Sequence, residues 1–295
     1  MLRRLDGLLQ GDYRTLWRGT GLDLADLREY QIHDDVRHID WNVTARQQQP
    51  FVRVYHEDRD LTAWFLLDLS GSIDFGSRET AKRTISAEFV GLMSRILTRH
   101  GNRVGAMLYG TEVDSVLPAR GGRLQVLQLL HRMATRPVPT RRISTDLSVL
   151  LRGADKAIRQ RALIFVVSDF ISAPGWGDAL GRLALRHEVV AVRLFDPLEQ
   201  QLPDLGLVVI EDAETGEQLF VDTNDAAFRR RFEKQATARE TALREAFGKA
   251  GVDALELSTD GELTDAIVRF VEMRRLRARI TAGVAKMPAH VSAQR

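Results

Sequence analysis

No cysteine occurs among the 295 residues. That removes disulfides, thiolate metal ligands and cysteine nucleophiles together, and it fits a reducing compartment, so the expected location is cytoplasmic. Long apolar runs are missing too. The longest, such as Ala63 to Leu67 and Leu163 to Val167, are strand-length, far short of the roughly 20 residues that a membrane helix needs. The N-terminal stretch MLRRLDGLLQGDYRTLW has neither an uninterrupted apolar core nor a small-residue cleavage site, and reads poorly as a signal peptide. No charge of one sign dominates: 42 Lys and Arg stand against 40 Asp and Glu, a net charge of +2. A whole-chain nucleic-acid footprint is therefore unsupported, and a membrane is expected to matter only indirectly, through partners. What is present is ordinary for a globular chain, with 44% hydrophobic and 28% charged residues, enough for one large packed domain or two modest ones.

The hydrophobic pattern sorts the chain. Phe51 to Glu57 alternates apolar and polar residues, as a half-buried strand does. From residue 61 the pattern changes. Leu61 to Leu67 is continuously apolar, like a strand covered on both faces. Glu79 to His100 places Ala81, Ile85, Phe89, Leu92, Met93 and Ile96 on one helical face. Further strands are expected at Arg103 to Tyr109, Val113 to Leu117, Ala162 to Val167, Glu188 to Phe195 and Val252 to Leu257. Helices are expected at Arg123 to Met133, Leu147 to Arg159, Gly177 to Arg186, after Asn224, and from Glu262 to about Ala278. Leu207 to Glu211 and Gln218 to Asp222 flank a turn and predict a hairpin. Buried strands alternating with amphipathic helices mean an α/β fold, a doubly wound, mostly parallel sheet flanked by helices. The expected organisation is a small N-terminal appendage over 1–60 packed on a main domain over 61–280. Residues 281–295 form a tail with little to pack, expected to be disordered.

In such a sheet ligands bind at the carboxyl ends of the strands. Asp68, Ser70 and Ser72 follow the first buried strand, Thr145 opens a helix after a loop, and Asp169 ends the strand that starts at Ala162. All are oxygen donors, suited to Mg²⁺ or Mn²⁺. Gly71 between the serines supplies the freedom that a tight loop needs. An acidic residue from a client protein is expected to complete the shell of such an ion. The Asp-x-Ser-x-Ser triplet alone arises equally as an Asx turn or a helix cap. Thr145-Asp146 and Ser168-Asp169 at the matching strand ends favour the metal reading.

With those residues in place, the chain resembles the metal-ion-dependent adhesion site of von Willebrand factor A domains. More narrowly it resembles the DUF58 family, through Arg28-Glu29-Tyr30, Asp34 to Trp41, Ala45-Arg46, Val52-Arg53 and Tyr55 to Arg59. The match continues in Ser168-Asp169-Phe170, Arg186-His187-Glu188, Asp196-Pro197-Leu198-Glu199, Leu202-Pro203 and Glu214-Thr215-Gly216. The resemblance implies a von Willebrand factor A-like domain that binds proteins through a metal held by Asp68, Ser70, Ser72, Thr145 and Asp169, with Asp68 acting through water. It further implies a non-enzymatic adaptor working beside a MoxR-type AAA+ ATPase in chaperone-like maturation or remodelling. Two departures leave these ligands untouched: Ile32-His33 stands where the family often has Pro-Gly, and Ile73 where Met is common.

Competing readings attach to other residues. A metal-dependent hydrolase using the same Asp/Ser/Ser site is the alternative. However, no Gly-x-Ser-x-Gly elbow surrounds either serine and no phosphate-binding Gly-x-x-x-x-Gly-Lys loop exists. His33, Asp34, Asp35, His38 and Asp40 suggest a second metal site, but Asp34, Arg37 and Asp40 are read as making the hydrogen bonds and ion pairs that fasten the N-terminal lobe. The basic stretch Met273 to Arg279 is read as the end of a helix whose arginines complement the macrodipole. Trp176 is read either as part of the binding surface or as core.

Overall fold

The computed structural model describes residues 26–31, 39, 41–47, 49–54, 61–77, 80–136, 145–211 and 218–281. In the N-terminal part, β1 (Asp26–Glu29) pairs antiparallel with β2 (Phe51–Val54), and α1 (Trp41–Gln47) lies between them in sequence. Thr44 Oγ1 accepts the backbone N–H of Phe51 at 3.0 Å, which joins the helix to the second strand.

The apolar run after Leu61 becomes β3 (Thr62–Asp68), an inner strand of a six-stranded sheet. The others are β4 (Arg103–Tyr109), β5 (Val113–Arg120), β6 (Leu163–Ser168), β7 (Glu188–Phe195) and β10 (Asp253–Ser258), in the order β10-β7-β6-β3-β4-β5. Every pairing is parallel except that of β4 with β5. The sheet is therefore mostly parallel, as the sequence pattern requires.

Strand periodicity then builds two cores. On one face, Phe65 and Leu67 of β3, Phe165 of β6 and Val192 of β7 pack with α2 (Lys82–Arg99), α3 (Arg123–Thr135) and α7 (Leu263–Thr281). On the other, Leu66, Ile164 and Ala191 pack with α4 (Leu147–Ala157), α5 (Trp176–Arg186) and Phe247 of α6 (Ala226–Ala250). Burying each large apolar side chain stabilises by about 1.5–3 kcal/mol, which is why these strands are apolar on both sides. Phe89 of α2 meets Phe65 and Phe165 edge-on at 6.4 and 5.7 Å, while those two stack at 5.1 Å. This aromatic trio fixes α2 over the β3–β6 seam.

Several boundaries move from their sequence positions. The helix read from Glu79 starts at Lys82, because Ala81 is extended (φ −85°, ψ 157°) and Lys82 N bonds back to Phe75 O at 3.0 Å. The long helix is capped by Asp225, not Asn224: its carboxylate accepts from Ala227 N at 2.7 Å. The last helix runs on to Thr281. The hairpin forms as β8 (Leu207–Glu211) and β9 (Gln218–Asp222), while its turn, like the expected tail beyond Thr281, lies outside the described residues. No described helix is long and apolar enough to cross a membrane.

Candidate metal centre

From β3 the chain moves to β4 on one side and later returns to β6 on the other. The carboxyl ends of β3 and β6 therefore flank a crevice at a topological switch point, where open α/β sheets place their ligands. Asp68 is the last residue of β3. Its Oδ1 accepts the backbone N–H of Ser70 at 3.0 Å, closing an Asx-type turn. Leu69 N bonds to Tyr109 O at 2.8 Å and ties the loop to the end of β4. The chain then coils through a short 3₁₀ turn (Gly71–Asp74), which brings the hydroxyls of Ser70 and Ser72 within 3.2 Å.

The β6 end supplies the facing wall. Ser168 Oγ donates to Asp68 Oδ2 at 2.6 Å and accepts from Phe170 N at 2.9 Å. Asp169 Oδ1 accepts from Ile171 N at 3.0 Å. Between them Phe170 adopts φ 59°, a left-handed conformation costly for a bulky residue. Its ring is anchored against Trp176 and Phe247, with centroids at 5.2 and 4.9 Å. Trp176 is thus part of an aromatic cluster at the start of α5. Thr145 is fastened to the same loop, its carbonyl accepting from Ala173 N at 2.8 Å and Ser172 Oγ at 3.1 Å. The next residue, Asp146, donates its backbone N–H to the Tyr109 hydroxyl oxygen at 3.0 Å. Asp68, Ser70, Ser72, Thr145 and Asp169 all lie at this end of the sheet and are at most 5% exposed.

Two residues outside the expected ligand set join the site. Ser168 is one. The other is Lys82, whose side chain is fully buried and whose Nζ lies 2.7 Å from Asp169 Oδ2 and 2.6 Å from Glu199 Oε1. Burial alone would lower its pKa, but the two carboxylates outweigh burial and hold it above the ordinary lysine value. A signal for it existed: Lys82 falls in helical register with Ile85, Phe89 and Met93, on the buried stripe of α2. A lysine on such a stripe needs a carboxylate partner.

Glu199 is itself held by the Asp196-Pro197-Leu198-Glu199 turn. Asp196 Oδ1 accepts from Leu198 N at 2.9 Å, and Asp196 N donates to Glu199 Oε2 at 3.1 Å, a reciprocal capping box. The other Asp196 oxygen gathers Ser77 N, Ser77 Oγ and Thr259 Oγ1 at 2.9, 2.8 and 2.6 Å. Burial pushes the Asp196 pKa up, yet these hydrogen bonds overcome it and leave it below the usual carboxylate value. On the opposite flank Arg136 Nη1 donates to Leu69 O at 2.8 Å and Tyr109 O at 3.3 Å, and the guanidinium pairs with Asp114. Gly110 makes room for it, since a Cβ there would overlap the guanidinium.

Burial, and then the charge of Asp169, push the Asp68 pKa up to about 6, and the hydrogen bonds from Ser168 and Ser70 only partly offset them. Two buried acids in mutual repulsion beside converging hydroxyls suit a hard, oxygen-seeking divalent ion. Among the described residues no group of three or more carboxylate, imidazole or thiol side chains gathers as a metal cluster. The donors present are two carboxylates with hydroxyls, a set that fits Mg²⁺ or Mn²⁺.

The other sequence candidates fall elsewhere. His33, Asp34, Asp35, His38 and Asp40 lie outside the described residues. In the basic stretch of α7, Arg274 pairs with Glu188 and Asp253, and Arg277 with Asp253.

Relatives place the chain in a family. An uncharacterized protein of Mycobacterium tuberculosis is 36% identical over 273 residues, 92% of this chain and 86% of that protein. An uncharacterized protein of Mycobacterium avium is 37% identical over 159 residues, 54% of this chain and 94% of that one. Among solved structures, similarity extends to an aerotolerance-related membrane protein from Bacteroides fragilis (11% identity, TM-score 0.47, 72% of this chain and 99% of that one). It extends also to the SpRpn10 VWA domain (15% identity, TM-score 0.39, 71% and 94%). The family described as protein of unknown function DUF58 matches residues 26–242, a span that runs from β1 through the candidate centre into α6, and the chain belongs to that family.

Proposed function

We propose that this chain is a non-enzymatic protein-binding module of von Willebrand factor A type whose adhesion depends on Mg²⁺ or Mn²⁺ held at the Asp68 loop. The observation that carries the reading is Asp68 itself. It is a fully buried carboxylate at the switch point, with its pKa raised by burial and by Asp169 and with the Ser70 and Ser72 hydroxyls beside it. Ser70, Ser72 and Thr145 would offer neutral oxygens, while Asp68 and Asp169 supply the negative charge. A divalent ion held by these residues would supply a Lewis-acidic contact for a carboxylate oxygen from a partner protein. Ser168 and the Ser70 N–H hold Asp68 in place through hydrogen bonds at 2.6 and 3.0 Å, so the loop is set before any ion arrives. We further propose that the partner machinery is a MoxR-type AAA+ ATPase. The motif resemblance, which includes Asp196-Pro197-Leu198-Glu199 and Ser168-Asp169-Phe170, supports this.

The test is a Mn²⁺ titration by calorimetry and thermal shift on wild type and Asp68→Ala, followed by capture from native lysate with Mg²⁺ or EDTA. Saturable Mn²⁺ binding lost in Asp68→Ala is expected, as is an AAA+ ATPase retained only by wild type with Mg²⁺. A wild-type protein that binds neither ion refutes the metal reading. Metal-dependent turnover of a phosphoester or peptide that disappears in Asp68→Ala would replace adhesion with hydrolysis.

A further inference from the structure

A buried ammonium sits where a metal centre would ordinarily gather only negative charge. Lys82 Nζ contacts Asp169 Oδ2 at 2.7 Å, and the other Asp169 oxygen already accepts from Ile171 N at 3.0 Å. Both oxygens of the second acid are therefore engaged before any ion binds. Lys82 in turn is shared with Glu199 at 2.6 Å. Glu199 is placed by the Asp196 turn, which is tied to the loop after the 3₁₀ turn through Ser77 and to the end of β10 through Thr259. The Lys82 side chain is fully buried and that of Glu199 is 22% exposed, so the chain of charges runs from the crevice toward solvent.

We propose that Lys82 is a tethered counter-charge that competes with the divalent ion for Asp169, while Glu199 competes with Asp169 for Lys82, so that this relay sets the metal affinity of the centre. The inference rests on the metal reading of the Asp68 loop. It gives the Asp196-Pro197-Leu198-Glu199 motif a task, which is to hold the carboxylate that draws Lys82 away from the ion. It also bears on adhesion. By sharing Asp169, Lys82 leaves a bound ion incompletely neutralised and so receptive to an incoming carboxylate.

The proposal predicts effects of opposite sign from its two ends, because the ammonium opposes an ion at Asp169 and the outer carboxylate favours it. Removing the ammonium in Lys82→Met leaves Asp169 wholly to the ion. Removing the outer charge in Glu199→Gln leaves Lys82 wholly to Asp169. Mn²⁺ affinity is measured by calorimetry on wild type, Lys82→Met, Glu199→Gln and Asp68→Ala. Circular dichroism and melting in EDTA confirm that each variant is folded. The expected result is binding roughly tenfold or more tighter in Lys82→Met and roughly tenfold weaker in Glu199→Gln, the scale of one unit charge near an ion in a partly buried site. A folded Lys82→Met with unchanged or weaker Mn²⁺ binding overturns the relay, even if its melting temperature falls. Should Lys82→Met fail to fold, Glu199→Gln decides alone, and unchanged or tighter binding there overturns the proposal. Wild type that binds Mn²⁺ while Asp68→Ala does not separates these outcomes from failure of the metal reading, which shows as no binding in wild type.

Discussion

The fold favours the protonated form of Asp68. Its pKa rises from 3.8 in the unfolded chain to about 6 in the fold. Without metal, the protonated form thus contributes stability that is fully present below pH ~3.8 and lost as pH rises through about 6. Asp68→Asn removes the ionisation while keeping the shape. In EDTA at neutral pH it should be more stable than wild type by on the order of 2 kcal/mol, with the difference vanishing toward pH ~4. Urea unfolding across that range checks it, and a variant less stable than wild type at neutral pH contradicts it. The residues of the Asp68 loop were legible because Asp-x-Ser-x-Ser is a local pattern at the end of an apolar strand. Lys82 was not read, because its partners Asp169 and Glu199 are brought to it only by folding, and a lysine in a first helical turn passes for a solvated one. Ser168 stands in the Ser168-Asp169-Phe170 motif, but the bond from its hydroxyl to Asp68 spans strands distant in sequence.

The elements around the centre carry their own consequences. His187 closes α5 and is buried with neither ring nitrogen hydrogen-bonded among the described residues. Burial, and then the Arg186 charge, lower its pKa below 6.5. The unfolded chain therefore takes up the proton first, so stability is full above pH 6.5 and declines as pH falls below it. His187→Leu should flatten that decline in urea midpoints compared between pH ~7.5 and ~5; an unchanged slope contradicts it. On the far side of the loop, Gly110→Ala should displace the Arg136 guanidinium from Leu69 O and Tyr109 O and destabilise by roughly 1–3 kcal/mol. Gly110→Ala melting like wild type would mean that Arg136 shifts at no cost. Element existence was largely readable from periodicity, since β3, β6 and β7 are apolar on both faces and α2 on one. Element ends were less so: Ala81 carries no capping side chain, and the bond from Lys82 N to Phe75 O that starts α2 is not visible in composition.

At the scale of the whole molecule, an ion that binds only the folded centre stabilises every element through linkage. Mn²⁺ at a hundred times its dissociation constant should raise wild-type unfolding free energy by about 2.7 kcal/mol and leave Asp68→Ala unchanged, which denaturant titration with and without the ion will read. Equal stabilisation of both proteins would mean that the ion binds elsewhere. The α/β architecture was recoverable from the alternation of buried strands with amphipathic helices, whereas the strand order was not, because order depends on which crossovers pack. That order carries a consequence for synthesis. Within the six-stranded sheet, a chain emerging from the ribosome makes β3 first, then β4 beside it and β5 beside β4, then β6 on the open flank of β3, β7 beside β6 and finally β10 beside β7. Every new strand meets a neighbour that already exists, so the sheet grows outward in both directions without a placeholder. The donors of the crevice are all present once Asp169 has been made, but the Asp196 knot must wait for Thr259. A nascent chain therefore presents the Asp68 loop and Asp169 before the turn that holds Glu199 is fully tied.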